Sequence, residues 1–552
     1  MNKNQARVIT LLCTAAFVLA FLISGRIWVR MDLTRNKAYT ISDVSRNLYK
    51  EIADQMTITY FVSDKLCQAY PLPGEIADLL REYAAYSRGK IRFIQKDPAK
   101  AELLRKVEEL GIAPQQIQVV EKNESTIATV YTGILIEYLD REEVIPVVFS
   151  LDTLEYDLSS RIRSLVRNTE RELGVIVADA SKQWNTEYGL LNRELLLSGF
   201  KVRLINPGDE IPNTLPALFV LGGAGDLDEY SLYLIDRFIM GGGRVFFALD
   251  GVIVDTRGSL EAQAVQDKGL LAMLANYGVV LRRALVLDRS ALTLTFQTQS
   301  ENGTFIRSVR YPEWIGVQEK GGNPNHPVTA RFGGLDLYWA SPLELSPPSG
   351  VSGEILFSST ETAWLQTEKF ITNPNLISQF ETEADKTRGK KILGVSLSGV
   401  FPSAFEGRPI PLRESSRGQG ASPDVPSESS GIVKKPSRLI VVGDADFAGN
   451  LMQANRGEGR NLDFLVRAAE WLSSDDDIIS IRNREASSGR LDRITDPEKR
   501  GAVMAFSRGF NTIVIPLGIV VTGLFLALRR NNRLRRTALP KTTKEKGHTD
   551  GL

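Results

Sequence analysis

Two apolar runs, one near each end of the chain, constrain this protein more than anything between them. Residues 8–24 read VITLLCTAAFVLAFLIS, and Ile27, Trp28 and Val29 extend the run past Arg26. Residues 510–528 read FNTIVIPLGIVVTGLFLAL. Each approaches the roughly 20 apolar residues with which a helix crosses a bilayer. A cleaved signal peptide is the rival for the first run, but no A-x-A site follows it, and Arg26 and Arg30 occupy the place of cleavage. The expectation is an uncleaved anchor over residues 1–30 and a second transmembrane helix over 508–529.

A basic tail fixes the orientation. Eight Arg and Lys residues lie between Arg529 and Lys546, so the 530–552 segment is expected to stay in the cytoplasm. Two spans return the N-terminus to the same side, with Lys3 and Arg7 in support and Arg26, Arg30, Arg35 and Lys37 opposing. The expected location is the bacterial inner membrane, with both termini cytoplasmic and the main body extracytoplasmic. Pro516 and Gly518 inside the second span suit a helix that packs on a membrane partner.

Composition excludes several function classes. With a formal net charge of +1, the chain has no general attraction to nucleic acid, and none is expected as a partner. Only two cysteines and two histidines are present, which leaves no disulfide framework, no zinc site and no histidine-based triad. His326, in an Asn/Pro-rich stretch, reads as a surface loop residue. No P-loop occurs anywhere, so ATP hydrolysis would belong to another chain.

The body reads as multidomain α/β. Residues 31–150 begin with a helix near Asp43, capped by Thr40 or Ser42, and continue in the order β-α-β-α-β-β of a thioredoxin-like module. Redox chemistry would need C-x-x-C, and Cys67 stands alone in KLCQAY. Residues 151–170 form a connector helix. Over 171–290 the apolar strands LGVIVA, ALFVL and RVFFAL alternate with helices, the pattern of a parallel sheet covered on both faces. A strand- and loop-rich insertion (291–412) and a Ser/Gly/Pro-rich linker (413–437) follow. Residues 438–507 then resume with the strand LIVV and a helix over 461–472, which complete the same sheet before the juxtamembrane segment.

Two places qualify as candidate ligand-facing positions. Gly222 and Gly223 follow a strand and precede a helix, where a phosphate loop would sit, although the G-x-G-x-x-G spacing and the Walker lysine are missing. Asp444 and Asp446, in VVGDADF, lie just past a strand's carboxyl end, where paired carboxylates hold a ligand or cap a turn. Gly241, Gly242 and Gly243 sit at the opposite end and read as a helix C-cap and turn.

Several phrases occurring in order carry a resemblance. They are MDLTRNKAYTIS after the first anchor, LEYDLSSRIRSL, VLGGAGDLDEYSLYLIDRFIMGGGRVFFALDG, VSLSGVFPSAF, RLIVVGDADFAGN, NLDFLVRAAEWL and IISIRNREASSGRL. Together they resemble the GldG-like, gliding-motility-associated auxiliary proteins of ABC transporters and the wider group of ABC-type uncharacterised transport system proteins. The resemblance implies an extracytoplasmic component working with a separate permease and a separate ATPase, and a flavodoxin-like or glutamine-amidotransferase-like middle domain. Amidotransferase chemistry needs a Cys nucleophile and a His base, and that region has neither.

The expected function is a non-catalytic, membrane-anchored auxiliary subunit of an ABC transport complex, substrate-binding-like or scaffold. Its partners would be ABC permease and ATPase subunits, the lipid bilayer and a further envelope protein, with no cofactor. The alternative is an envelope enzyme, or a structural or sensory module, with a sheet-edge ligand site around Asp444 and Asp446.

Overall fold

The computed structural model describes residues 41–474, except 100, 122–123, 152–153, 168–170, 223–224, 257, 259, 301–302, 331, 381–383, 414–433 and 456–457, together with 517, 518, 521–523 and 525. Among these, no helix is long and apolar enough to cross a membrane. The first apolar run lies outside the described residues, as does the second apart from a few positions, which are helical. Leu517, Val521 and Phe525 there are exposed.

In the N-terminal module, Ser42 caps α1 (Asp43–Glu51) by accepting a hydrogen bond from the Ser45 amide at 3.1 Å. Strand β1 (Met56–Val62), helices α2 (Asp64–Ala69) and α3 (Leu72–Tyr86), β2 (Ile91–Lys96) and α4 (Ala101–Glu109) follow. A separate hairpin, β3 (Gln115–Glu121) and β4 (Glu124–Val130), precedes β5 (Thr132–Tyr138), β6 (Arg141–Ile145) and α5 (Leu154–Arg167). The sheet order is β2-β1-β5-β6, with β1 parallel to β2 and antiparallel to β5. A buried polar seam joins α1 to α5: Glu155 accepts from the Ser42 amide at 2.7 Å and from Ser45 Oγ at 2.8 Å. These donors, with Tyr83 and Ser159 hydrogen-bonded alongside, are what let a carboxylate be buried there.

The second sheet starts with β7 (Glu172–Val177), followed by α6 (Trp184–Glu187), α7 (Gly189–Leu197), β8 (Lys201–Leu204), β9 (Ala217–Leu221), α8 (Glu229–Met240) and β10 (Arg244–Ala248). A hairpin, β11 (Val252–Val254) with β12 (Ala262–Ala264), and α9 (Leu270–Tyr277) come next. After β13 (Val279–Leu281) and β14 (Leu285–Leu287), the insertion carries β15 (Ala291–Ser300), β16 (Gly303–Val317), β17 (Leu335–Tyr338), β18 (Leu343–Leu345), β19 (Val351–Ser358), β20 (Trp364–Gln366), α10 (Ala384–Thr387) and β21 (Ile392–Gly399). The chain then returns through β22 (Ser437–Val442), which pairs in parallel with β10, and ends in α11 (Glu458–Ser473).

The parallel strands lie in the order β8-β7-β9-β10-β22, with antiparallel β21, β18 and β13 continuing beyond β22. Numbered along the chain, the parallel part is the doubly wound order 2-1-3-4-5. Apolar side chains alternate between two cores. Leu218, Val220, Val245, Phe247 and Val441 pack under α8 and α9, while Val175, Phe219, Phe246 and Ile440 pack under α7 and α11. All five residues of β9 are buried.

The amino edge of this sheet is tied down by cations. Arg244 donates to the carbonyls of Leu472 and Ser474 at 2.8 and 2.9 Å, and Arg438 donates to Trp471 at 3.0 Å. Positive charge at the C-terminal carbonyls of α11 is favourable both as hydrogen bonding and against the helix dipole. Gly243 sits on the same edge, where a Cβ would stand 2.4 Å from the Phe238 ring. His326 corrects the sequence reading: it is 4% exposed, its ring centroid 4.9 Å from that of Trp471. Its turn folds back onto α11, the Val328 amide donates to Nδ1 at 3.2 Å, and burial with Arg438 nearby pushes its pKa down to about 4.

The first and last residues described in this body lie close together. Ser42 is held by Glu155, and the Ser474 hydroxyl lies 3.0 Å from the hydroxyl of the next residue, Tyr156.

Candidate functional site

Three of the parallel strands run into an aspartate at their carboxyl ends: Val177-Ala178-Asp179, Ala248-Leu249-Asp250 and Val442-Gly443-Asp444. An apolar strand that leaves the sheet in this way delivers its first polar side chain to the crevice outside the sheet. Open α/β sheets place ligands there, at the point where strand order reverses. In this order the reversal falls between β7 and β9, beside Asp179 and Gly222.

Gly222 has φ +124°, and a Cβ would stand 2.8 Å from the backbone nitrogen of Asp179, so only glycine lets the two loops approach. Gly223 lies outside the described residues.

The two sequence-predicted carboxylates part company. Asp444 is 0% exposed and accepts from the amides of Tyr338 at 2.6 Å, Asp446 at 2.7 Å and Phe447 at 3.2 Å. It fastens the insertion to the end of β22. Burial, then Asp250 and Asp446, raise its pKa well above the usual carboxylate range. Asp446 instead faces outward and receives the Lys182 ammonium at 2.6 Å on Oδ1. The same ammonium lies 3.7 Å from Asp179. Burial favours the uncharged amine, but Asp446, Tyr188 and Asp250 outweigh it and hold Lys182 above the ordinary lysine range. Asp250 accepts from the Ala445 amide at 2.7 Å, and burial followed by Asp446 pushes its pKa up to about 7.

Above these residues opens a cleft of about 1520 Å³. Asp179, Lys182, Asp226, Asp250 and Asp446 line the sheet side, with the β11–β12 hairpin and residues 370–373 across from them. Glu187, Asp255 and Glu261 add further acidic side chains, against which Lys182 is the sole lysine or arginine of the lining among the described residues. Tyr188 stacks on Trp184 at 5.7 Å beneath this edge, is 1% exposed, and its hydroxyl has no hydrogen-bond partner. No group of three His, Cys, Asp or Glu residues close enough to hold a metal ion occurs among the described residues.

Behind the 370–373 wall, Tyr311 donates to the Thr372 carbonyl at 2.5 Å. Next to it, a register shift in the β15–β16 pair carries Glu313, fully buried among Tyr311, Trp314 and Trp339. Neither Glu313 oxygen meets hydrogen-bond geometry, and burial raises its pKa to about 8, opposed by Tyr311 and Trp339.

Sequence reasoning found Asp446 but missed Asp179, Lys182, Tyr188 and Asp250. The strand-end aspartates were a usable signal, since each closes an apolar run. Lys182 and Tyr188 carried none, because their partners are distant in the chain.

Residues 170–468 match the family described as ABC-type uncharacterized transport system, a span that holds the second sheet and the cleft. Residues 35–137 match a domain of unknown function. An uncharacterised protein of Borreliella burgdorferi is 25% identical over 545 residues, covering 96% of this chain and 99% of its own. Among solved structures, the mmIFT52 N-terminal domain aligns with TM-score 0.29 and 13% identity over 55% of this chain and 98% of its own. The exo-beta-1,4-mannosidase Op5Man5 from Opitutaceae bacterium strain TAV5 aligns with TM-score 0.21 and 9% identity, over 72% of this chain and 48% of its own.

Proposed function

Because the chain belongs to the ABC-type uncharacterized transport system family, we propose that it is a non-catalytic, membrane-anchored auxiliary subunit of an ABC transport complex, with permease and ATPase on separate chains. The family match, which spans more than half of the chain, carries the reading. The lack of a P-loop in the sequence supports an ATPase elsewhere. Two anchors are supported by the apolar runs. The basic tail favours cytoplasmic termini and an extracytoplasmic body.

The order β2-β1-β5-β6 supports a thioredoxin-like N-terminal module, and the 2-1-3-4-5 order supports a flavodoxin-like second one. Within the family, the ordered phrases quoted above favour the GldG-like branch, with the cleft as its substrate-binding-like face. Purification of the tagged chain in mild detergent tests the complex. A permease and an ATPase should accompany it, and recovery of the chain alone would end this reading.

One observation favours the enzyme alternative: Asp250, with its pKa near 7, is placed to exchange a proton at the cleft. Metals and nucleotides that leave the melting temperature of the purified chain unchanged would remove that alternative.

A further inference from the structure

We infer that the cleft receives an extended organic cation, one of whose ammonium or guanidinium groups docks on Asp446 in place of the Lys182 side chain. This goes beyond the auxiliary role and holds or fails on its own, because it concerns binding by the purified chain.

Charge is the first ground. Among the described residues, seven acidic side chains and one ammonium line the cleft, an excess of negative charge even with Asp250 partly protonated, so its field attracts positive ligands and repels anions. The second ground is independent of that count. The Tyr188 hydroxyl is 1% exposed and unpartnered, and the charges acting on it are those of Lys182, Asp446, Asp250 and Asp179. A buried polar group without a partner costs stability unless something completes it. Here it lies beneath the cluster that a ligand would enter, within electrostatic reach of all four charged groups.

The type of cation follows from how the carboxylates are occupied. Asp250 and Asp226 each accept a backbone amide, from Ala445 and Ala180, and Asp179 Oδ1 accepts from the Ser181 amide and hydroxyl. They are dispersed around the cleft rather than converging on a point as a metal requires. The cation already seated there is a primary ammonium, 2.6 Å from Asp446. Lys182 thus shows the chemistry the site accepts, and a ligand ammonium at Asp446 would leave Lys182 paired with Asp179, 3.7 Å away. A volume of about 1520 Å³ exceeds the roughly 300–1,000 Å³ of ordinary small-molecule pockets, which favours a ligand with several charged groups.

Calorimetry on the full chain in detergent, with hexalysine and spermine as probes, tests this. Hexaglutamate and Mg²⁺ serve as contrasts. The expected result is hexalysine binding that weakens with salt and falls by at least about tenfold in Asp446→Asn. Lys182→Met, which removes the internal competitor, should tighten hexalysine binding several-fold, so the test survives even if Asp446→Asn misfolds. Equal affinity in wild type and both variants would overturn the inference. So would a preference for hexaglutamate, or Mg²⁺ binding with no hexalysine binding.

Discussion

The two edges of the parallel sheet use charge in opposite ways. At the amino edge, Arg244 and Arg438 direct their guanidinium groups at the carbonyls ending α11, and His326 is buried uncharged beside them. At the carboxyl edge, Asp444 is sealed off by three backbone amides, while Asp179 and Asp250, with one amide each, and Asp446 surround an open cleft with Lys182. The first arrangement satisfies the helix end and fixes where the chain leaves the body. The second keeps partly buried charge at the wall of the cleft, where a ligand can reach it. An aspartate after an apolar strand therefore tells little by itself. What decides its role is whether the next turn supplies amides that use it up.

The comparison can be broken most forcefully at Asp444. Asp444→Ala strands three amides and should cost at least about 3 kcal/mol in urea denaturation. A loss below about 1 kcal/mol would mean that Asp444 does not fasten the edge. Gly222→Ala, which meets the Asp179 backbone at φ +124°, should cost about 2 kcal/mol by the same measurement.

The titratable groups of the two regions should respond to pH in opposite senses. Asp250 and Glu313 have folded pKa values raised to about 7 and about 8, so the folded protein retains protons that the unfolded chain releases. Their contribution to stability is greatest in acid and is lost as pH rises toward those values. His326, lowered to about 4, behaves conversely: its contribution is present above about 6.5 and is lost as pH falls toward 4. Glu313→Gln should accordingly stabilise the body at pH 8, by about 1–2 kcal/mol, and have little effect at pH 5. The same gain at both pH values would show that Glu313 is not protonated in the fold.

Arg438→Ala should lose about 1 kcal/mol, through the α11 carbonyl and the Trp471 ring 5.2 Å away, and leave hexalysine affinity unchanged. Asp446→Asn is its mirror image: Lys182 keeps Asp179 and an amide oxygen, so about 1–2 kcal/mol of stability should be lost, with the larger effect on binding. If Arg438→Ala weakened the ligand as much as Asp446→Asn, the division between the edges would fail.

Much of the framework was legible because burial writes itself into the chain. LGVIVA, ALFVL, RVFFAL and LIVV could only be strands buried on both faces. The long β15–β16 hairpin was visible only as a strand-rich region. Its tip exposes Phe305 and Ile306, so no buried face imposed a clean alternation there. Side-chain partners were the least legible. Lys182 and Asp446 are 264 residues apart, and no local pattern announces such a pair. His326 failed for a related reason: its turn residues described the backbone correctly but not the helix that covers it.

A cleft that captures an extracytoplasmic cation requires the body to lie outside the membrane that both apolar runs enter. Protease added to intact spheroplasts is the most direct test. The expected result is digestion of the body with the 530–552 tail spared. An intact body with a cleaved tail would contradict double anchoring in this orientation.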